Sequence, residues 1–173
     1  MYLVSIYFDE KSHKRIQGFI DRVAERTGNT FMKDGTVPPH ITVSAFETRD
    51  EEAAIEAMER IVAKMNQGSI TWASVGQFFP YVIFLAPVLN VYLSNMSEVL
   101  YGELSSMEGV KMSPYYKPGQ WLPHATIGKT LSEEQMREAF EVLQKSFGVF
   151  ESKVVKIGLA KPNPHRDIKI WEI

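Results

Sequence analysis

The chain has 173 residues, 45% apolar and 23% charged, with a formal net charge of −2. That is material for one globular unit, or for two small lobes sharing a core. The absence of cysteine excludes disulfides, thiolate metal sites and a cysteine nucleophile, and is compatible with a cytoplasmic protein. The slight negative charge argues against a protein that coats long duplex nucleic acid through its phosphates, and leaves a small anionic substrate held by local cations.

Residues 2–8 read as a strand and not as a signal peptide, because no basic region precedes the short apolar run and Asp9 and Glu10 end it. No later segment approaches the roughly 18 consecutive apolar residues of a membrane span, so no membrane association is expected. Asp9 is suited to cap a helix whose apolar residues Ile16, Phe19, Ile20 and Val23 fall on one face, ending near Gly28. His13 in that helix reads as a solvated surface residue. After a polar turn through Lys33, Asp34 and Gly35, VPPHITVSAF reads as a strand. Thr48 with Glu51 forms a capping-box pattern before a helix that buries Ala54, Met58, Ile61 and Met65 and stops at Gly68. Residues 69–78 and 81–86 then read as two strands of a tight hairpin around Pro80.

The second half repeats this order. Asn90 caps a helix with Met96, Leu100, Leu104 and Met107 on one stripe and Gly109 near its end. The aromatic connection KMSPYYKPGQ leads to the strand WLPHATIGKT. Ser132 and Gln135 form a second capping-box pattern, ahead of an apolar stripe through Met136, Ala139, Phe140 and Leu143 to Gly148. Residues 150–160 and 168–173 close the chain as strands around the loop KPNPHRD. Residues 2–79 and 81–173 therefore follow one pattern, an internal duplication in element order within a single unit spanning 1–173. A pseudo-two-fold arrangement of such α+β units would bring the two proline-histidine strands face to face across a cleft.

Those strands carry the chemistry. Pro-His-Ile-Thr-Val at 39–43 returns as Pro-His-Ala-Thr-Ile at 123–127. Alternation along a strand puts His40 beside Thr42 and His124 beside Thr126. Two imidazoles that titrate near neutrality suit in-line displacement at phosphorus: one takes a proton from water or a sugar hydroxyl, and the other protonates the departing oxygen. The two threonine hydroxyls can bond nonbridging oxygens as charge develops, and no metal or cofactor is required. One histidine in an apolar strand is more often structural, but packing alone gives no reason for the same polar pair to recur after proline. The metal reading lacks a His-x-His or helical His-x-x-x-His spacing. Tyr115 and Tyr116 can stack a nucleobase or simply pack a long loop, the role also read for Trp121. Lys117 can meet phosphate or stay solvated, and His165 and Arg166 read as part of a polar turn.

With its two His-x-Thr motifs, each followed by an apolar residue, the chain resembles the 2H phosphoesterase superfamily, which includes 2′-5′ RNA ligase-like proteins and cyclic nucleotide phosphodiesterases. The resemblance implies an α+β, bilobal pseudo-two-fold fold, with antiparallel-rich sheets flanking a central cleft, helices outside and His40, Thr42, His124 and Thr126 lining the cleft. It also implies metal-independent hydrolysis of 2′,3′-cyclic phosphate or 2′-5′ linkages in RNA ends or small nucleotides, or ligation in reverse. The alternatives are a nucleotide- or RNA-end-binding module without turnover, and a purely structural protein. Pattern alone fixes neither acid nor base, nor oligomeric state.

Overall fold

In the computed structural model, which describes residues 1–35 and 37–173, the chain runs β1 (Tyr2–Phe8), α1 (Glu10–Thr27), β2 (Ile41–Glu47), α2 (Glu51–Val62), β3 (Gly68–Phe78) and β4 (Val82–Pro87). It continues α3 (Val91–Ser105), the two-residue β5 (Lys111–Met112), a 3-10 turn at Pro114–Tyr116, β6 (Ala125–Gly128), α4 (Glu133–Ser146), β7 (Phe150–Pro162) and β8 (His165–Glu172). The fold class is α+β, with antiparallel strand pairing throughout.

Most helix boundaries follow the local signals. The Asp9 carboxylate accepts from Ser12 N–H at 3.0 Å, and Gly28 ends α1 with φ 69°, a conformation glycine adopts without steric cost. Asn90 caps α3, and Ser132 and Gln135 form the full reciprocal capping box on α4. The cap of α2 corrects the sequence expectation. Asp50, not Thr48, accepts from Ala53 N–H at 2.9 Å, while Thr48 Oγ1 accepts from Asp50 N–H at 3.1 Å and shapes the turn before it. A carboxylate two residues closer to the free N–H groups is the better acceptor. The helix α2 ends at Val62, so Met65 lies beyond it and Gly68 opens β3 instead of stopping the helix. At the C-terminal end, strand pairing from Lys156↔Glu172 to Pro162↔His165 absorbs most of the expected loop and leaves only Asn163 and Pro164 as the turn.

The eight strands form one sheet in the order β5-β2-β1-β7-β3-β4-β6, with β8 paired to β7 on the edge opposite β1. From β2 to β6 this order reads the same in both directions if β2, β1 and β7 are exchanged for β6, β4 and β3. Each half of the sequence sends its last long strand to the other half: β7 lies against β1, and β3 lies against β4. The helices follow suit, since α1 packs on α4 and β6, and α3 packs on α2 and β2.

At the β3–β7 seam Trp72 faces Phe150 in register and is fully buried. Its ring stacks on Phe150 at 6.0 Å and meets Phe8 edge-on at 5.5 Å, and its indole N–H donates to Ser152 Oγ at 2.8 Å. Along β1, Val4, Ile6 and Phe8 feed the helix-packed core while Leu3, Ser5 and Tyr7 occupy the opposite face. The candidate site is built on that second face.

Candidate functional site

His40 and His124 sit one residue before β2 and β6, not within them. Both follow a buried proline, Pro39 or Pro123, whose fixed φ helps shape the entry to the strand. The turn returns each ring to the carbonyl two residues upstream: His40 Nδ1 to Pro38 O at 2.8 Å, and His124 Nδ1 to Leu122 O at 2.8 Å. A carbonyl can only accept, so Nδ1 is the donor in both cases, and the neutral ring presents its Nε2 lone pair to the site. The matched tautomers follow from main-chain geometry and need no carboxylate. Both histidines are half-buried, and burial pushes both pKa values below the ordinary 6.5. Charge on His165 and on His124 lowers that of His40 further, while Asp167 raises it.

The hydroxyls are arranged around the rings. Thr42 lies opposite Ser5 across β1 and β2, with their side-chain oxygens 3.3 Å apart, and Tyr116 lies near Thr42. Thr126 lies opposite Phe84 across β4 and β6 and is half-buried. Trp121, buried as expected, donates its indole N–H to the Thr42 carbonyl at 3.1 Å. β5 pairs with β2 at Phe46↔Met112 and Ser113 N–H donates to Ala45 O at 2.8 Å, so the segment leading to the second histidine is laid along the strand of the first. Of the three loop residues singled out in the sequence, Tyr116 is the one placed at Thr42. Tyr115 is 82% exposed, and Lys117 is exposed with its carbonyl accepting from Gln120 and Trp121.

The surroundings of the two histidines differ. Phe78 meets His124 edge-on at 4.8 Å and Phe84 lies 5.4 Å away, so this ring is walled by aromatic carbon. His40 faces the Tyr7 ring at 6.2 Å, with Ser5, Tyr116 and His165 nearby. In both halves a glycine provides the floor: a Cβ on Gly158 would stand 2.8 Å from the Tyr7 ring, and one on Gly76 would stand 2.5 Å from the Phe84 ring. An isolated glycine inside a strand signals such a close approach. That signal, with the polar alternation of Ser5 and Tyr7 in β1, makes these rings findable in the sequence. His165 carries no such mark and reaches the site through the strand pairing of the final hairpin. Among the described residues, no group of three or more His, Asp or Glu side chains is arranged to hold a metal ion.

The family model for the 2′-5′ RNA ligase superfamily matches residues 12–166, a span that includes both histidine motifs. The chain belongs to the 2′-5′ RNA ligase superfamily. Among solved structures this superfamily member is similar to Escherichia coli LigT, crystallised in complex with ATP, with a TM-score of 0.54 and 15% sequence identity over 99% of this chain and 96% of that one. At that identity the likeness speaks for the fold. No curated protein matches by sequence. Superfamily membership supports a 2H phosphoesterase or RNA-ligase type of function, and none of the described helices is long and apolar enough to cross a membrane.

Proposed function

We propose that residues 1–173 form one bilobal domain acting as a metal-independent phosphoesterase on 2′,3′-cyclic phosphate or 2′-5′ phosphodiester linkages of RNA ends or small nucleotides, with ligation as the reverse reaction. The observation that carries this reading is the matched pair of Nδ1-anchored imidazoles, His40 and His124, which belong to copies of one motif. The palindromic sheet order supports treating residues 2–79 and 81–173 as pseudo-two-fold units that exchange their closing strands.

In the reaction, one neutral Nε2 takes a proton from the attacking water while the other ring, protonated, delivers its proton to the ribose oxygen that leaves. Thr42 and Thr126 donate to the nonbridging oxygens, where developing charge makes each hydrogen bond stronger in the transition state than in the ground state. Tyr116 supports Thr42 at the site, and Tyr115 and Lys117 would contact the bound nucleotide or a longer RNA end. The protein acts in the cytoplasm.

The test is turnover, in EDTA, of a panel holding a nucleoside 2′,3′-cyclic phosphate, a cyclic-phosphate-ended RNA oligomer and a 2′-5′-linked oligonucleotide. The expected result is a ring-opened or cleaved product from at least one member. Binding without product across the panel would favour the binding-module reading. The pH profile should be bell-shaped, since one imidazole must be neutral and the other charged. Burial lowers both folded pKa values, so the doubly neutral pair dominates above 6.5 and the singly protonated pair appears as pH falls. The maximum of kcat/KM therefore lies on the acid side of 6.5, and a maximum in the alkaline range would contradict the assignment.

A further inference from the structure

The two walls of the site offer different chemistry to an extended substrate. Around His124 the neighbours are the rings of Phe78 and Phe84, which supply no hydrogen-bond donor to an anion. The His40 side supplies donors that the phosphoryl-transfer step above leaves unused.

Tyr7 is 7% exposed, and its hydroxyl is not one of the buried side-chain atoms stranded without a partner. Its ring is clamped over Gly158, which lies opposite Ser5 on β7 and leaves room there only because it has no side chain. Burial and the Asp167 carboxylate raise the phenol's pKa to about 12, so at neutral pH it can only remain protonated and donate.

His165 is the second unused group. Its Nε2 donates to Asp167 Oδ1 at 3.1 Å, which orients the ring and leaves Nδ1 free. His165 opposes Pro162 and Asp167 opposes Ala160, two positions on the same face of β7 as Gly158. The pairing register therefore sets both side chains along the strand that carries Gly158 beneath Tyr7, and the effects of His165 on His40 and of Asp167 on Tyr7 agree with that placement. The other cations of this hairpin are engaged elsewhere: Lys161 and Arg166 both bind Glu51, and Lys169 binds Glu59.

The geometry points to a second anion subsite beside His40, formed by the Tyr7 hydroxyl and the His165 imidazole, that takes the phosphate on the 5′ side of the reacting nucleoside and so favours RNA ends over mononucleotides. This inference rests on the proposed function, because the reacting phosphate must lie between His40 and His124 for its neighbour to fall here. Tyr7 donates a neutral hydrogen bond. Asp167 holds the His165 ring through Nε2 and leaves Nδ1 to face an arriving phosphate, to which the charged ring donates a charge-assisted bond.

Calorimetry with adenosine 2′-monophosphate and adenosine 2′,5′-bisphosphate tests it. One charge-assisted contact is worth at least about tenfold in affinity, so the native protein should bind the bisphosphate about tenfold or more tightly. His165→Gln and Tyr7→Phe should each bring the ratio of the two affinities toward one, while Arg166→Gln should retain it. If the monophosphate binds and the 5′-phosphate adds nothing, or if both variants weaken the two ligands equally, the subsite is overturned and the proposed function stands. If neither nucleotide binds, both fall.

Discussion

Replacing His40 or His124 with alanine should lower turnover by about 10²–10⁴ in each case, the range for loss of one general acid or base. Each ring is half-buried and fixed mainly by one main-chain hydrogen bond, to Pro38 O or Leu122 O, so both variants should fold and give the far-ultraviolet dichroism of the native chain. The losses should not multiply. Base and acid serve one in-line displacement, and once one is gone the other acts on a step that is already limiting, so groups working as a unit are strongly non-additive. The double variant is therefore expected within about tenfold of the poorer single variant. Near-native turnover in either folded single variant would remove that histidine from the mechanism.

The second large effect concerns the seam that holds the two ends of the sheet together. Trp72 on β3 is fully buried against Phe150 and Phe8, and its indole N–H is the partner of the buried Ser152 hydroxyl. Trp72→Ala should cost about 3–5 kcal/mol, the usual range for emptying a core site of this size, with the stranded Ser152 hydroxyl adding to it. Against a typical total of about 5–15 kcal/mol, that is a large share. Urea unfolding followed by dichroism would show the midpoint falling. An unshifted midpoint would mean that the β3–β7 contact is not where the two halves are joined. Trp72→Phe, which keeps most of the packing and loses the hydrogen bond, should fall between the two.

The features that could be read in the sequence are those encoded locally. Asp9, Asn90 and Ser132 cap helices because a short polar side chain at that point reaches the free N–H groups, and that chemistry is visible in a few residues. Thr48 misleads for the same reason: it does form a local hydrogen bond, but to Asp50, which then caps α2. The paired Pro-His-x-Thr motifs are legible because packing cannot account for their recurrence. The Nδ1 anchors were not foreseen, although the proline before each histidine is part of the turn that makes them.

The exchange of β3 and β7 between the halves could not be read, because it depends on which distant strands pair and not on any strand's own composition. Phe150 opposes Trp72 across 77 intervening positions in the chain, and nothing near either residue specifies the other. The same holds for His165 and Asp167. In sequence they read as a polar turn after two prolines, and only the long pairing of β7 with β8 sets them along the strand that carries Gly158. The difference between the aromatic wall at His124 and the polar wall at His40 is likewise a product of pairing: Phe84 faces Thr126 where Ser5 faces Thr42.

The central claim is that both imidazoles address one phosphate. The direct measurement is a nuclear magnetic resonance titration of histidine-labelled protein with a nucleoside 2′-monophosphate, following the ring signals of His40 and His124 together. The account predicts that both rings begin as Nδ1–H tautomers and that both sets of signals move with a single midpoint at one equivalent of ligand. Movement of one ring while the other stays still, or two separate midpoints, would contradict it.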